Sequence, residues 1–287
     1  MNNDKLKNLT VRALSGVVLA ALLFGATLIS GYGYVALMAV IAAVGVWEFY
    51  NLCEGCGYKP QRYLGLMLTL AIFCLASLAF FEVVLNACCW GNRVIYAGLL
   101  LILLLTFFSF ILELFRAYDN PIANVGATLM GAVYVALPVS MMLAVPQLLS
   151  GAEGWQPWYA ICYILIIWAN DVFAYLTGIA LGKHRMCERI SPKKSWEGFV
   201  GGVVAAVAFA MLFGWLLDGN LLVWAGLGAI IAITGVAGDF VESLFKRSAD
   251  VKDSGAIMPG HGGMLDRFDA LLISAPFAFL YLLLTNL

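Results

Sequence analysis

Long apolar runs alternate with polar connections along this chain, and nine of the runs reach the roughly 20 residues that a membrane-crossing helix requires. They fall at about 11–30, 33–51, 63–85, 94–115, 126–149, 158–182, 199–217, 221–238 and 268–287. The pattern predicts an all-α, polytopic integral membrane protein with about nine transmembrane helices. The first run resembles a signal peptide in that Lys5, Lys7 and Arg12 precede or open it. Its apolar stretch is long enough to span, however, and no polar spacer follows, so it reads as a retained anchor.

The polar connections supply a test of the span count. Assigned to alternate sides, fifteen of the sixteen basic residues fall on one face, with Arg93 alone on the other. Basic residues collect on the cytoplasmic side of membrane proteins, which predicts a cytoplasmic N-terminus and a C-terminus outside. Two connections on that side, 183–198 and 239–267, are long and polar, and hold nine of the sixteen basic residues. The chain therefore divides into residues 1–157, N-terminal membrane helices acting as scaffold, and residues 158–287, a catalytic membrane region carrying both loops. No internal repeat is evident, which argues against an inverted-repeat transporter.

Composition narrows the classes further. Of 287 residues, 63% are hydrophobic and 11% charged, with a mean hydropathy of +0.94. These values exclude a soluble globular enzyme, a disordered chain and a secreted disulfide scaffold. A formal net charge of −1 gives no reason to expect nucleic-acid binding. Cys53 and Cys56 form a CxxC, Cys88 and Cys89 are neighbours, and Cys74, Cys162 and Cys187 stand singly. Without a second CxxC or an HxxH there is no structural zinc site, and these read as packing residues or free thiols.

The candidate chemistry lies in the two loops. After the eighth run, Asp239, Glu242 and Lys246 share one face if the helix continues beyond the membrane boundary. Arg247, Lys252 and Asp253 follow. Pro259, Gly260, Gly262 and Gly263 then surround His261 in a stretch too rich in breakers to be helical. Asp266 and Asp269 flank Arg267 at the mouth of the ninth run. Carboxylates at this spacing offer hard oxygen ligands to Mg²⁺, and the lysines and arginines can neutralise phosphate. In the sixth run, Asn170 and Asp171 sit at mid-span, where an ionisable residue is costly and functional by default, with Tyr175 one turn on. Beyond it come Lys183, His184 and Arg185, then Ser191 to Gly198. There Pro192 is expected to fix a turn, and Lys193 and Lys194 form a candidate phosphate clamp. Trp196 suits an interface anchor as well as a base-stacking residue. Glu48, Glu82 and Glu113 read as residues at span ends.

The segments Ser243-Leu244-Phe245-Lys246-Arg247, Lys252-Asp253, Pro259-Gly260-His261-Gly262-Gly263 and Asp266-Arg267-Phe268-Asp269 resemble the signature of the phosphatidate cytidylyltransferase, or CDP-diacylglycerol synthase, family. Ser191-Pro192-Lys193-Lys194-Ser195-Trp196-Glu197-Gly198 is similar to a second motif of that family, with Ser195 where Thr often stands. Met258 replaces a commoner aliphatic residue. The resemblance covers about residues 165–270. It implies a Mg²⁺-dependent membrane enzyme that joins CTP and phosphatidate into CDP-diacylglycerol and pyrophosphate. It further implies a homodimer, for which the first five spans are the candidate surface, in the inner membrane of a prokaryote with the active site facing the cytoplasm.

On that reading Asp239, Asp266 and Asp269 are ligands of Mg²⁺ and of a second cation such as K⁺, with Asp171 reaching the same site from within the membrane. Lys193, Lys194, Lys246, Arg247, Lys252 and Arg267 divide between the triphosphate and the lipid phosphate, and Ser195 and Asn170 contact substrate. His261 hydrogen-bonds phosphate or the leaving group. Alternatives are a CDP-archaeol synthase, a CTP-dependent polyprenol kinase, or an ion-coupled transporter with its acidic site at Asp171.

Overall fold

The computed structural model describes residues 3–85, 91–151, 154–258 and 262–285. Helices α1 (Asn3–Ile29), α2 (Gly31–Gly55), α3 (Arg62–Leu85) and α4 (Gly91–Arg116) come first. The next crossing is built from α5 (Pro121–Gly131), a π-helical turn (Ala132–Ala136) and α6 (Leu137–Ser150). Then follow α7 (Pro157–Leu181), a hairpin of β1 (Arg185–Cys187) and β2 (Ser191–Ser195), α8 (Trp196–Leu216), α9 (Leu221–Ser248) and α10 (Leu265–Thr285). Eight helical segments among the described residues are long and apolar enough to cross a membrane, with 121–150 counted once. The apolar part of α1, Leu14–Ile29, occupies the position of the first expected span. The architecture is all-α and polytopic, as the run pattern predicts.

Local chemistry sets the helix ends. Side-chain oxygens of Ser30, Ser195 and Asn220 accept the backbone N–H groups of Gly33, Gly198 and Leu222 and so cap α2, α8 and α9. Pro121 and Pro157 open α5 and α7, where a missing N–H costs nothing. Two boundaries differ from the expectation. The helix expected to end at 238 runs on to Ser248, because the residues beyond the apolar run carry acids early and Lys246 and Arg247 in the last turn, which suits the dipole. The eighth connection is therefore only 249–264, with helix at both ends of the expected loop. Pro192 does not fix the turn either. It lies within β2, and the hairpin turns at 188–190; a strand of a two-stranded sheet has a free edge, where proline is tolerated.

Packing joins the two halves of the chain. α10 lies against both α6 and α9, while α7, α8 and α9 form a second contiguous layer. One buried cluster runs from Tyr34, Met38 and Phe49 of α2 through Met142 and Tyr163 to Leu265, Leu271 and Ala275 of α10. The connections rich in basic residues meet at one end of this bundle. Arg116 Nη1 donates to the Lys59 carbonyl at 2.8 Å, Lys194 pairs with Asp239, and Ser254 donates to Glu48. Glu48 and Glu113, expected as residues at span ends, are 2% and 5% exposed; Glu113 accepts from Gln61, Asn124 and Arg116. Cys53, Cys56, Cys74, Cys162 and Cys187 are free thiols, and Cys88 and Cys89 lie outside the described residues.

Candidate active site

The extension of α9 beyond its apolar run places Asp239, Glu242, Ser243 and Lys246 at i, i+3, i+4 and i+7, one face of a helix. α10 enters the same region with Asp266 and Asp269 in its first turns. Carboxylate oxygens of Asp239, Glu242 and Asp269 lie within 4.8 Å of one another. Glu242 is 1% exposed. Its Oε2 accepts from Lys246 Nζ at 2.6 Å, while its Oε1 is buried and accepts no hydrogen bond among the described residues. Three hard oxygen donors on two helices, one of them buried and unsatisfied, fit a Mg²⁺-sized cation that completes its shell with water or phosphate oxygens.

Lys246 is the hinge of this arrangement. Its ammonium bridges Glu242 Oε2 and Asp266 Oδ1, both at 2.6 Å. Asp266, expected beside Asp239 and Asp269 as a cation ligand, has its other oxygen occupied too. Oδ2 accepts the backbone N–H groups of Ser254 and Gly263 at 2.8 Å each and the Ser254 hydroxyl at 2.9 Å. Asp266 thus binds the two ends of the 254–263 segment together and holds Lys246 in place. Gly262 takes φ +84° at the closing end of that segment, a conformation that favours glycine.

Beside the carboxylates a cleft of about 640 Å³ opens between α7, α8, α9 and the hairpin. Asp171, Arg185, Lys193, Lys194, Ser195 and Asp239 line its polar part, and Tyr175, Ile179, Phe199 and Val236 its apolar part. Lys194 stands at the junction of cleft and cluster. Its ammonium lies 2.5 Å from Asp239 Oδ2 and 4.6 Å from the centre of the Phe240 ring. Arg185 donates to the Lys193 carbonyl at 3.0 Å and so braces the hairpin that carries both lysines. At the hairpin's base, Glu197 accepts the backbone N–H groups of Lys183 and His184 and pairs with the His184 ring. Small residues allow α7 and α8 to approach closely here: a side chain at Gly202 would collide with Asn170.

The structure thus draws Asp171, Asp239, Asp269, Lys193, Lys194 and Lys246 into one region. Ser195 reaches the cleft, but its hydroxyl accepts the Gly198 N–H as the α8 cap. Asn170 is buried behind the cleft, its Nδ2 3.4 Å from Asp171 Oδ1. Arg247, Lys252 and Arg267 are exposed, and His261 lies outside the described residues. Two residues take part here that the sequence pattern does not single out: Glu242 joins the carboxylate cluster, and Glu48, expected at a span end, is buried and accepts from Ser254. An ionisable residue inside an apolar run was the signal available for Glu48.

The model of the cytidylyltransferase family matches residues 10–285. The phosphatidate cytidylyltransferase of Mycobacterium bovis (strain ATCC BAA-935 / AF2122/97) is 40% identical over 169 residues, 58% of this chain and 53% of that protein. The phosphatidate cytidylyltransferase of Mycobacterium tuberculosis (strain ATCC 25618 / H37Rv) is 40% identical over 169 residues, 58% of this chain and 49% of that protein. That of Staphylococcus aureus (strain N315) is 45% identical over 120 residues, 41% and 46% of the respective chains. The chain spans about half the length of the curated relatives it matches.

Proposed function

The chain belongs to the cytidylyltransferase family, and from that premise we propose that it transfers the cytidylyl group of CTP to phosphatidate, giving CDP-diacylglycerol and pyrophosphate. The observation that carries this reading is the junction of two unlike surfaces. A carboxylate cluster made by Asp239, Glu242 and Asp269 stands against a lysine-lined cleft whose other wall is apolar. The first suits a metal-bound polyphosphate, the second a phosphate attached to acyl chains.

In this reaction an oxygen of the lipid phosphate forms a bond to the α-phosphorus of CTP, and the bond from that phosphorus to the α,β-bridging oxygen breaks, that oxygen leaving with pyrophosphate. A phosphomonoester has a second pKa of about 6, so the nucleophile is already largely ionised at neutral pH and needs no strong base. The task is to align two mutually repelling anions and to stabilise the charge that leaves. Asp239, Glu242 and Asp269 would hold Mg²⁺, which supplies neutralisation of the triphosphate oxygens and of the departing pyrophosphate. Asp171, at the cleft wall, is the candidate ligand of a second cation such as K⁺. Lys193 and Lys194 receive the lipid phosphate, Lys194 from its place beside Asp239 at the junction of cleft and cluster. Lys246 orients Glu242 and, through Asp266, the following loop. The Tyr175, Ile179 and Phe199 side of the cleft admits the acyl chains laterally.

The same reading puts the site at the cytoplasmic face of a bacterial inner membrane, where CTP arrives from solution and the lipid phosphate from the headgroup layer. It also includes a homodimer, with α4 as the candidate surface, since this span is the least covered by the rest of the chain. The deciding assay incubates purified protein in mixed micelles with phosphatidate, Mg²⁺ and CTP labelled in the α-phosphate. Labelled CDP-lipid and an equivalent of pyrophosphate are expected. Release of CDP would instead indicate a kinase, and absence of turnover would return the transporter reading.

A further inference from the structure

We infer that Glu48 of α2 is a positioning residue for the active-site loop, the means by which the N-terminal helices act on a site built from α7 to α10. This rests on the cytidylyl-transfer reading for its effect on rate, but not for its geometry. Glu48 Oε2 accepts the backbone N–H of Leu265, the first residue of α10, at 2.9 Å, and the Ser254 hydroxyl at 3.2 Å. The first N–H groups of a helix have no partner within it, and a carboxylate there also meets the positive end of the dipole. Glu48 therefore caps α10 from another helix, 217 residues away in sequence.

The loop is shaped around this carboxylate. A side chain at Gly255 would approach Glu48 Oε1 to 2.3 Å, and one at Gly263 would approach Oε2 to 2.4 Å. Both glycines thus leave room that the Glu48 carboxylate occupies. Ser254 and Gly263, the residues that Glu48 touches or crowds, are also those whose N–H groups Asp266 receives. Glu48 and Asp266 share the Ser254 hydroxyl. The chain of contacts then runs Glu48, Ser254, Asp266, Lys246, Glu242, and so ends in the carboxylate cluster.

Rigid packing backs the carboxylate. The neighbouring Phe49 lies edge-on to Phe245 with ring centres 5.9 Å apart, and both rings pack on Tyr134 of the π-helical turn. Phe245 precedes Lys246, so α2 and α9 are fixed against each other where both reach the loop. A π-helical turn in this position is the kind of local irregularity that recurs at functional sites.

The test compares Glu48→Ala and Glu48→Gln with the parent chain, full length and in detergent. CDP-lipid formation is measured over ranges of CTP and phosphatidate, and hydrogen exchange over residues 254–265 is followed without substrate. Glu48→Ala is expected to lower kcat by about 100-fold, the cost of a small misplacement of reacting groups, with KM for phosphatidate nearly unchanged. Exchange in 254–265 should rise while that of α7 and α8 stays the same. Glu48→Gln retains an oxygen for the Leu265 N–H and should recover part of both effects. If Glu48→Ala fails to fold, Glu48→Gln decides alone. Parent-like kcat and parent-like exchange in the folded variants would overturn the proposal. So would a general rise in exchange without a local one, which is the mark of a merely structural residue. Absence of CDP-lipid from the parent chain would defeat the reading of function, and the exchange data would still decide the clamp.

Discussion

Replacing Lys246 by methionine removes one charge and leaves two buried ones. The ammonium lies 2.6 Å from both Glu242 and Asp266, whose side chains are 2% and 5% exposed. At that distance and an effective dielectric near 20, each pair has a gross attraction of about 6 kcal/mol, most of which desolvation of the three groups offsets. The net worth of the bridge is therefore modest, but the cost of breaking it is not, since truncating one partner of a buried ion pair costs about 3–5 kcal/mol. Against a total stability on the order of 5–15 kcal/mol, Lys246→Met should shift the unfolding midpoint conspicuously. Tryptophan fluorescence during denaturation in mixed micelles would read this. Adding Asp266→Asn removes one of the stranded charges, so the double variant should lose less than the sum of the singles, by about 0.5–3 kcal/mol. A Lys246→Met protein within about 1 kcal/mol of the parent, as an exposed pair would give, would refute the buried bridge and with it the role assigned to Asp266.

Other substitutions probe the remaining parts. Glu242→Gln and Asp269→Asn should weaken Mg²⁺ binding by at least about the 10–100-fold that loss of an outer partner costs a metal site, as measured by calorimetric titration without substrate; unchanged affinity would remove the cluster as the cation site. Chelation should abolish turnover, with recovery on adding Mg²⁺ and none on adding K⁺ alone. Lys194→Ala should raise KM for phosphatidate more than KM for CTP in steady-state assays, whereas an equal rise in both would take Lys194 out of the lipid side of the cleft. Ser195→Ala should cost about 1 kcal/mol of stability through loss of the α8 cap, readable in the same denaturation experiment.

How much of this was legible in advance depended on how locally each feature is encoded. Spanning helices are nearly self-contained: backbone groups in lipid must be satisfied within the segment, so an apolar run of the right length specifies both the helix and its extent. The apolar runs therefore marked the eight helical segments that are long and apolar enough to cross among the described residues, including the one interrupted by the π-helical turn, whose irregularity has no signature in Ala132-Val133-Tyr134-Val135-Ala136. Helix ends outside the apolar runs were less legible. Hydropathy falls at Asp239, but the helix does not end there, since the backbone bonds of the next nine residues still close and Lys246 pairs back with Glu242 one turn earlier. The hairpin at 185–195 was likewise hidden, because a strand containing Pro192, Lys193 and Lys194 has no apolar alternation to announce it.

The site divides along the same line. The i, i+3 spacing of Asp239 with Glu242 and of Asp266 with Asp269 pointed to two helices that the structure brings together, since such a spacing needs only one helix to be meaningful. It could not say which member of each pair faces the other helix. Crossing geometry decides that, and it turns Glu242 and Asp269 toward Asp239 while Asp266 faces the loop. The partners of Glu48 were illegible for a stronger reason. Its meaning lies wholly in a contact 206 residues away with Ser254 and 217 away with Leu265. Within its own helix it is one acid near the end of an apolar run. Of the two glycines that make room for it, Gly263 reads in sequence as a helix breaker within a motif, and Gly255 carries no signal of its own. A buried carboxylate in the N-terminal half and close-approach glycines in the C-terminal half each look unexplained alone, and each explains the other once folded. In a membrane bundle of this kind, an unpaired acid within a span and a tight glycine in a distant loop are best considered together as one contact.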